Sequence, residues 1–171
     1  MQGFADRINS SVSSSYSTSD GDVPTIATSN ITVESSSNPL QSSDHTFILR
    51  DEGNIPDSRV PGGFRPMGVI GHAALGEKAV YIATSIVGNT PATTGPEAGT
   101  GRSVTGDGTL ERTSAHEFGH SATLPHPAPG TMPGNLMNQT GASNAGMKLT
   151  KEQVRQIIQA YEDKKLNTGR Q

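Results

Sequence analysis

Three of the five histidines in this 171-residue chain fall within eleven residues, in the stretch SAHEFGHSATLPHP at residues 114–127. On a helix, His116 and His120 lie four residues apart, so their side chains project from one face where both can bind one metal ion. Glu117 lies beside them and can contact a metal-bound water without being a ligand. The stretch therefore predicts a helix with one face for ligands and another for the core.

The third histidine requires that this helix end before it. In a longer helix, His126 would point away from the other two imidazoles. Pro125 disfavours the helical state of the residue before it, so the helix is predicted to end near Ala122 or Thr123. The chain can then turn and bring His126 back. Three neutral imidazoles with an open water position are typical of catalytic rather than structural zinc.

The composition limits the size of the core and the kinds of partner. Leu, Ile, Val and Phe make up 31 of the 171 residues, which is low for a globular domain and predicts long polar loops around a modest core. A pI near 5.9 gives no electrostatic case for binding nucleic acid or an anionic membrane surface. The absence of cysteine excludes disulfides and thiolate ligands.

The N-terminal part is rich in serine, with thirteen serines in residues 1–45. Phe4, Ile8 and Val12 nevertheless recur every four residues, as one stripe of a short helix would. Two interpretations stay open for residues 1–22, a partly helical segment and a Ser-rich tail. These residues are polar, so no signal peptide is expected among them.

Three β-branched or apolar runs are interpreted as strands, and two helices are predicted after them. The strand candidates are TIATSNITVES, HTFILRDEG and AVYIATSIV, at residues 25–35, 45–53 and 79–87. Strands followed by helices favour an α+β fold. The Gly-rich GTGRSVTG at residues 99–106 lacks the ending of a phosphate-binding loop and does not directly follow a strand, so no nucleotide site is predicted there.

The two helices have recognisable caps. Thr109 or Asp107 can cap the first, with Glu111 in its first turn. Thr150 can cap the second, which spans LTKEQVRQIIQAYEDKKL. Its apolar stripe is predicted to contain Val154, Ile157, Ile158 and Tyr161.

The stretch HEFGHSATLPH resembles the zinc-binding signature HExxHxxGxxH of the metzincin metallopeptidases. The resemblance implies a bound Zn²⁺ held by His116, His120 and His126, with Glu117 as the general base. Metzincins also carry a methionine in a tight turn beneath the metal, the Met-turn. GNLMNQT resembles that turn, with Met137 as its methionine, and Met132 in GTMPG is the competing candidate.

The family resemblance implies a zincin-like (metzincin) fold for residues 1–171 as one catalytic domain. In this fold, a small mixed sheet packs on the zinc-binding helix, and the Met-turn and a C-terminal helix follow. The close resemblance covers residues 109–165. The run at 79–87 is either an ordinary core strand or the edge strand that metzincins use to align an extended peptide.

Two positions depart from the family pattern. Thr123 stands where the family has a glycine that permits a sharp turn, so Pro125 is expected to direct the backbone along a different route. Gln139 stands where some metzincins have a tyrosine, so a further ligand or transition-state stabiliser is not implied there. In gluzincins the third ligand is a glutamate on a later helix, and Glu152 is the candidate for that alternative.

The sequence therefore predicts a monomeric zinc-dependent endopeptidase with a protein or peptide substrate. It predicts no nucleic-acid or membrane partner. The alternative from another class is a non-catalytic zinc-binding or adhesion module. Two interpretations stay open for its origin, a mature secreted peptidase and a domain that resembles the C-terminal toxin domains of large secreted bacterial proteins. Both imply that the protein is secreted or delivered outside the producing cell, which is expected to be bacterial. His45 and His72 lack metal-ligand spacing and are predicted to be surface or hydrogen-bonded histidines.

Overall fold

The computed structural model describes residues 2–19, 25–33, 44–57, 59–139 and 144–166. Within them the chain has a mixed α and β architecture, as predicted, with three α-helices and a three-stranded sheet. In chain order the elements are α1 (Gln2–Tyr16), β1 (Thr46–Arg50), β2 (Gly71–His72), β3 (Ala79–Ala83), a 3-10 turn (Thr84–Ile86), α2 (Leu110–Ser121) and α3 (Lys151–Glu162).

The sheet is mixed, and its strand order is β1-β3-β2. β1 runs parallel to β3 and β2 runs antiparallel to it, with Gly71 opposite Ile82 and His72 opposite Tyr81. The strands predicted at residues 45–53 and 79–87 are confirmed over the ranges of β1 and β3. The alternative that 79–87 is an edge strand is wrong, because β3 is the central strand and the side chains of Val80 and Ile82 are fully buried.

The strand predicted at residues 25–35 is not formed in its described part, 25–33. One isolated bridge joins Thr25 to Thr18, and the rest of the segment lies in no strand. Residues 34 and 35 lie outside the described residues. The β-branched composition was a poor guide here because the hydrogen-bond partners of the segment are side chains of a helix instead of another strand.

Those partners are polar side chains spaced four residues apart, Asn9 and Ser13 in α1 and Ser17 just after its end. The side-chain oxygen of Asn9 accepts a hydrogen bond from the Ile31 N–H at 2.7 Å, and its side-chain nitrogen donates to the Ile31 carbonyl at 2.9 Å. One turn later the Ser13 hydroxyl accepts from the Ser29 N–H, and Ser17 accepts from the N–H of Ala27. This polar stripe holds the segment 27–31 against the helix.

The predicted helical stripe at the N-terminus is confirmed, and α1 continues through SSVSSSY to Tyr16. A Ser-rich tail is therefore the wrong interpretation of residues 2–16, while residues 20–22 lie outside the described part. Ile8, Val12 and Tyr16 belong to the core. Ser11 and Ser15 are also buried, and their small side chains suit a helix that packs closely against its neighbour.

That neighbour is α2, which packs between α1 and the sheet. Arg7 makes a two-point ion pair with Glu111, at 2.6 and 3.0 Å. Ser11 donates to the Glu111 carbonyl, and the Tyr16 hydroxyl donates to the Ala115 carbonyl at 3.0 Å. Polar contacts from α1 therefore fix one side of the helix that carries the histidines, and the sheet packs against another.

The C-terminal helix α3 begins at the predicted cap, where Thr150 and Gln153 form a reciprocal capping box. Its predicted apolar stripe is only partly correct. Val154 is buried, but the exposed fractions of Ile158 and Tyr161 are 48% and 73%. Within the described part of the chain, no helix is long and apolar enough to cross a membrane.

We expect Asn9→Ala to lower the free energy of unfolding by about 1–3 kcal/mol, because the substitution leaves the N–H and carbonyl of Ile31 without their side-chain partner. Chemical denaturation of both proteins measures the difference. Ser10→Ala, at an exposed position of the same helix, is the control and should change stability by less than about 0.5 kcal/mol. Equal stability of Asn9→Ala and the wild type would mean that the stripe does not hold the segment.

Candidate metal centre

The helix α2 starts and ends where the sequence predicts. Thr109 is the N-cap, and its side chain accepts from the backbone N–H of Arg112. The last helical residue is Ser121, with Ala122 as the C-cap. The start leaves Glu111 in the first turn, where its charge suits the helix dipole.

The turn after α2 is made by Thr123, which corrects the expectation that Pro125 directs a different route. Thr123 takes the left-handed conformation, with φ of 76°. Its N–H donates to the His120 carbonyl at 2.8 Å, and the Leu124 N–H donates to the Gly119 carbonyl at 2.9 Å. These two bonds form a Schellman motif, in which glycine is the usual left-handed residue. A β-branched residue pays a steric cost in this conformation.

The turn brings the third histidine to the first two. The Nε2 atom of His126 lies 3.1 Å from Nε2 of His116 and 3.0 Å from Nε2 of His120. Among the described residues, these three histidines form the group of His, Cys, Asp and Glu side chains whose ligand atoms lie close enough to hold a metal ion. Nitrogens at about 2.0–2.1 Å from a tetrahedral zinc are separated by about 3.3 Å, so the spacing fits a shared ion closely.

Backbone carbonyls determine which nitrogen of two of the histidines carries its proton. Nδ1 of His116 lies 2.8 Å from the Leu136 carbonyl oxygen, and Nδ1 of His120 lies 2.7 Å from that of Leu124. A carbonyl oxygen only accepts, so both Nδ1 atoms are donors, and in the neutral rings both Nε2 atoms carry lone pairs. His126 can donate to only one of them. A shared cation could accept the lone pairs of all three rings, and three imidazoles suit zinc.

The environment keeps these imidazoles neutral. Burial lowers the pKa of His116 to about 3 and that of His120 to about 4, and the neighbouring imidazoles add to the effect. The pKa of His126 is lowered too, mainly by burial, although this side chain is the most exposed of the three. At neutral pH the three rings are therefore ready to bind a metal without first losing protons.

Glu117 lies on α2 beside these histidines, with 8% of its surface exposed. The strand β2 passes against it, and a Cβ atom at Gly71 would stand 2.8 Å from the Glu117 Oε1 atom. The absence of a side chain at Gly71 therefore makes room for the carboxyl group. Burial raises the pKa of Glu117 to about 8, and a hydrogen bond from the Ala73 backbone opposes this increase.

The turn that contains Met137 packs against the same helix. Met137 is fully buried, and its Sδ atom would lie 2.4 Å from a Cβ placed at Gly119, so the thioether occupies the space that this glycine leaves. Met132, the competing candidate, is 36% exposed. Asn135 shapes the turn, because its side chain accepts the N–H of Met137 at 2.8 Å.

The same asparagine joins this turn to α3. Its amide pairs reciprocally with the amide of Gln153, at 2.7 and 3.2 Å, and both side chains are buried. Residues 140–143, which follow the turn, lie outside the described part. The sequence does not predict that Asn135 and Gln153 pair, because a buried amide pair depends on contacts between distant segments.

The other candidate residues do not belong to the group of converging ligand atoms in the described part of the chain, although the charge of His72 acts on the pKa of His120. Glu152, the alternative third ligand, has a side chain 70% exposed and lies 4.0 Å from Arg155. Gln139 is exposed. His45 hydrogen-bonds to Ser121, in agreement with the prediction that it is a surface or hydrogen-bonded histidine. His72 lies half-buried in β2, where burial lowers its pKa.

Arg112 is the residue that the sequence interpretation missed. It lies one helical turn before His116 and is fully buried. Its guanidinium donates to the carbonyls of Leu136, Asn138 and Gly146. Burial lowers its pKa only to about 10, so it remains a cation at neutral pH. The sequence did indicate that Arg112 lies on the same side of the helix as His116 and His120, but nothing more.

We expect Thr123→Gly to stabilise the protein by about 1 kcal/mol, because glycine adopts the left-handed conformation without the steric cost that threonine bears. The melting temperature, measured with a chelator present, should rise by about 2–4 °C. Thr123→Ala is the control, since alanine keeps a Cβ atom and should gain less. A lower melting temperature for Thr123→Gly would show that the threonine side chain stabilises the turn by more than its strain costs.

Comparisons with protein-family models, with curated proteins and with solved structures find no match to this chain. The case for a function therefore depends on the geometry of the histidine cluster and on the chemistry of its donor atoms.

Proposed function

We propose that the chain is a zinc-dependent endopeptidase in which Glu117 is the general base, with a zincin-like fold of the metzincin type. The observation that carries the proposal is the convergence of three imidazole Nε2 atoms, on the helix that also buries Glu117 beside them. A structural zinc site has four protein ligands, whereas three histidines leave a position for water or substrate. The buried carboxyl group adds the base that hydrolysis requires.

In this proposal His116, His120 and His126 hold the ion, and Met137 forms the apolar floor beneath them without acting as a ligand. Zinc bound there would polarise the scissile carbonyl group and lower the pKa of a bound water toward about 7. Glu117 would accept a proton from the attacking water and pass it to the leaving amine. A hydrogen bond from the Ala73 backbone holds its carboxyl group, and the absence of a side chain at Gly71 leaves room for it.

The proposed substrate is an extended segment of a protein or peptide. β2 lies at an edge of the three-stranded sheet, and the same strand contacts Glu117 through Gly71. A peptide that adds to the sheet beside β2 would run past the Glu117 carboxyl group, which Gly71 contacts. Gly71–His72 thus takes the substrate-aligning role that the sequence offered to residues 79–87. An action outside the producing cell is part of the proposal.

We expect the purified protein to bind about one zinc ion, and His126→Ala to lose most of this affinity because it removes one of three ligands. Competition with a chelator of known affinity measures the effect. His72→Ala and Glu152→Ala are the controls and should retain wild-type affinity. The third ligand would be Glu152, as in gluzincins, if Glu152→Ala lost zinc and His126→Ala kept it.

We expect Glu117→Gln to keep zinc and the fold but to lose about a hundred- to ten-thousand-fold in the rate of peptide cleavage. Glutamine keeps the size of the side chain and removes the base. The assay first identifies a substrate of the wild type, by mass spectrometry of a proteome digest with casein and gelatin included. Glu162→Gln, at an exposed carboxylate of α3, is the matched control and should cleave at the wild-type rate. Cleavage by zinc-loaded Glu117→Gln at the wild-type rate would contradict the proposed mechanism.

A further inference from the structure

Two donors from α2 share one carbonyl oxygen at the metal centre. The Leu136 oxygen accepts from Nδ1 of His116 at 2.8 Å and from an Nη2 atom of Arg112 at 3.0 Å. The same guanidinium donates to the carbonyls of Asn138 and Gly146. One buried cation therefore bonds three backbone oxygens of the loop that orients a proposed metal ligand.

The described residues of this loop, 132–139 and 144–149, lie outside the helices and strands, and hydrogen bonds such as that from the Leu136 N–H to the Lys148 carbonyl connect its two sides. Near Arg112 its described residues make two isolated bridges, from Asn135 to Ala145 and from Asn135 to Lys148. A carbonyl in such a loop can rotate away from an imidazole unless another group fixes it. Charge-assisted hydrogen bonds are stronger than neutral ones, and the guanidinium has a rigid geometry, so Arg112 is suited to fix the direction of the Leu136 oxygen.

The direction of that oxygen matters for metal binding. An acceptor at Nδ1 keeps the proton there and leaves the lone pair on Nε2, which is the atom that faces the other two histidines. If the carbonyl moved, the ring could take the other tautomer, with a proton on Nε2 in the place of the metal. Partners that orient ligating histidines in this way typically change metal affinity by about ten- to a hundredfold.

We propose that Arg112 is a positioning residue of the metal centre, which fixes the Leu136 carbonyl and thereby the tautomer and orientation of His116. The inference rests on the proposed metal site. It adds a role for a side chain that contacts neither the ion nor the substrate. The zinc affinity and the tautomer of His116 distinguish this role from a contribution to stability alone.

The experiment compares Arg112→Gln with Arg7→Gln. Arg7 is a suitable control because its guanidinium also donates to two backbone carbonyls, those of Val87 and Asn89, but it does not share an acceptor with a histidine. We expect Arg112→Gln to lower zinc affinity about ten- to a hundredfold and Arg7→Gln to leave it unchanged. Chelator competition measures both, and thermal melting measures the loss of stability in each.

A second measurement does not need the metal. ¹⁵N NMR of chelated, ¹⁵N-histidine-labelled protein should show His116 protonated at Nδ1 in the wild type and in Arg7→Gln, and a mixture of tautomers in Arg112→Gln. A folded Arg112→Gln variant with the wild-type tautomer and zinc affinity would overturn the proposal, whatever its melting temperature. If this variant does not fold, Arg112→Lys takes its place, because it keeps the charge and loses the rigid fork.

The two measurements separate this inference from the proposed function. A wild-type protein that binds no zinc would overturn the proposed peptidase. The tautomer of His116 in the chelated protein would still decide whether Arg112 positions the ring.

Discussion

The convergence of three imidazole Nε2 atoms is the constraint on which the rest of the site depends. Two of the three rings are oriented in this way because backbone carbonyls, those of Leu136 and Leu124, hold the protons on the opposite nitrogens. Neither carbonyl belongs to the helix that carries the rings. One lies in the turn before Met137, and the other follows the left-handed residue Thr123. The loops are therefore as much a part of the site as the helix. A change that moves either carbonyl would alter the orientation or the tautomer of the histidine bonded to it.

A helix with such a polar face cannot be enclosed by apolar side chains alone, because its buried polar groups need partners. Around α2 those partners are hydroxyl groups and carbonyls. Tyr16 donates to the Ala115 carbonyl, Ser11 to that of Glu111, and Ser121 to that of Glu77. Small hydroxyl side chains satisfy these groups while the segments stay close together. This explains how a chain with few large apolar residues encloses the helix, and why Ser11 is buried in α1.

The features that depend on local sequence were predictable, and those that depend on distant segments were not. The helix α2 and its end before Thr123 were predictable from the histidine spacing and from the effect of Pro125 on the residue before it, although Thr123 makes the turn that returns His126. The β-branched residues at 25–33 indicate a strand. The backbone of this segment instead bonds to side chains of α1, and local sequence does not reveal such contacts between segments. The central position of β3 is likewise set by pairing between segments. An arginine on a helix is usually exposed, so burial of Arg112 under three carbonyls could not be inferred from the residue alone.

The electrostatics of the site make the proposed base depend on the proposed metal. Burial raises the pKa of Glu117 to about 8 and lowers that of His116 to about 3, so at neutral pH the metal-free site holds a largely protonated carboxyl group and neutral rings. A buried site of low dielectric favours these neutral forms. Glu117 would lose its proton when a divalent cation is bound by the neighbouring imidazoles, because nearby positive charge stabilises a carboxylate. Metal binding would then supply the Lewis acid and create the general base in one step. The metal-free chain would lack both parts of the chemistry.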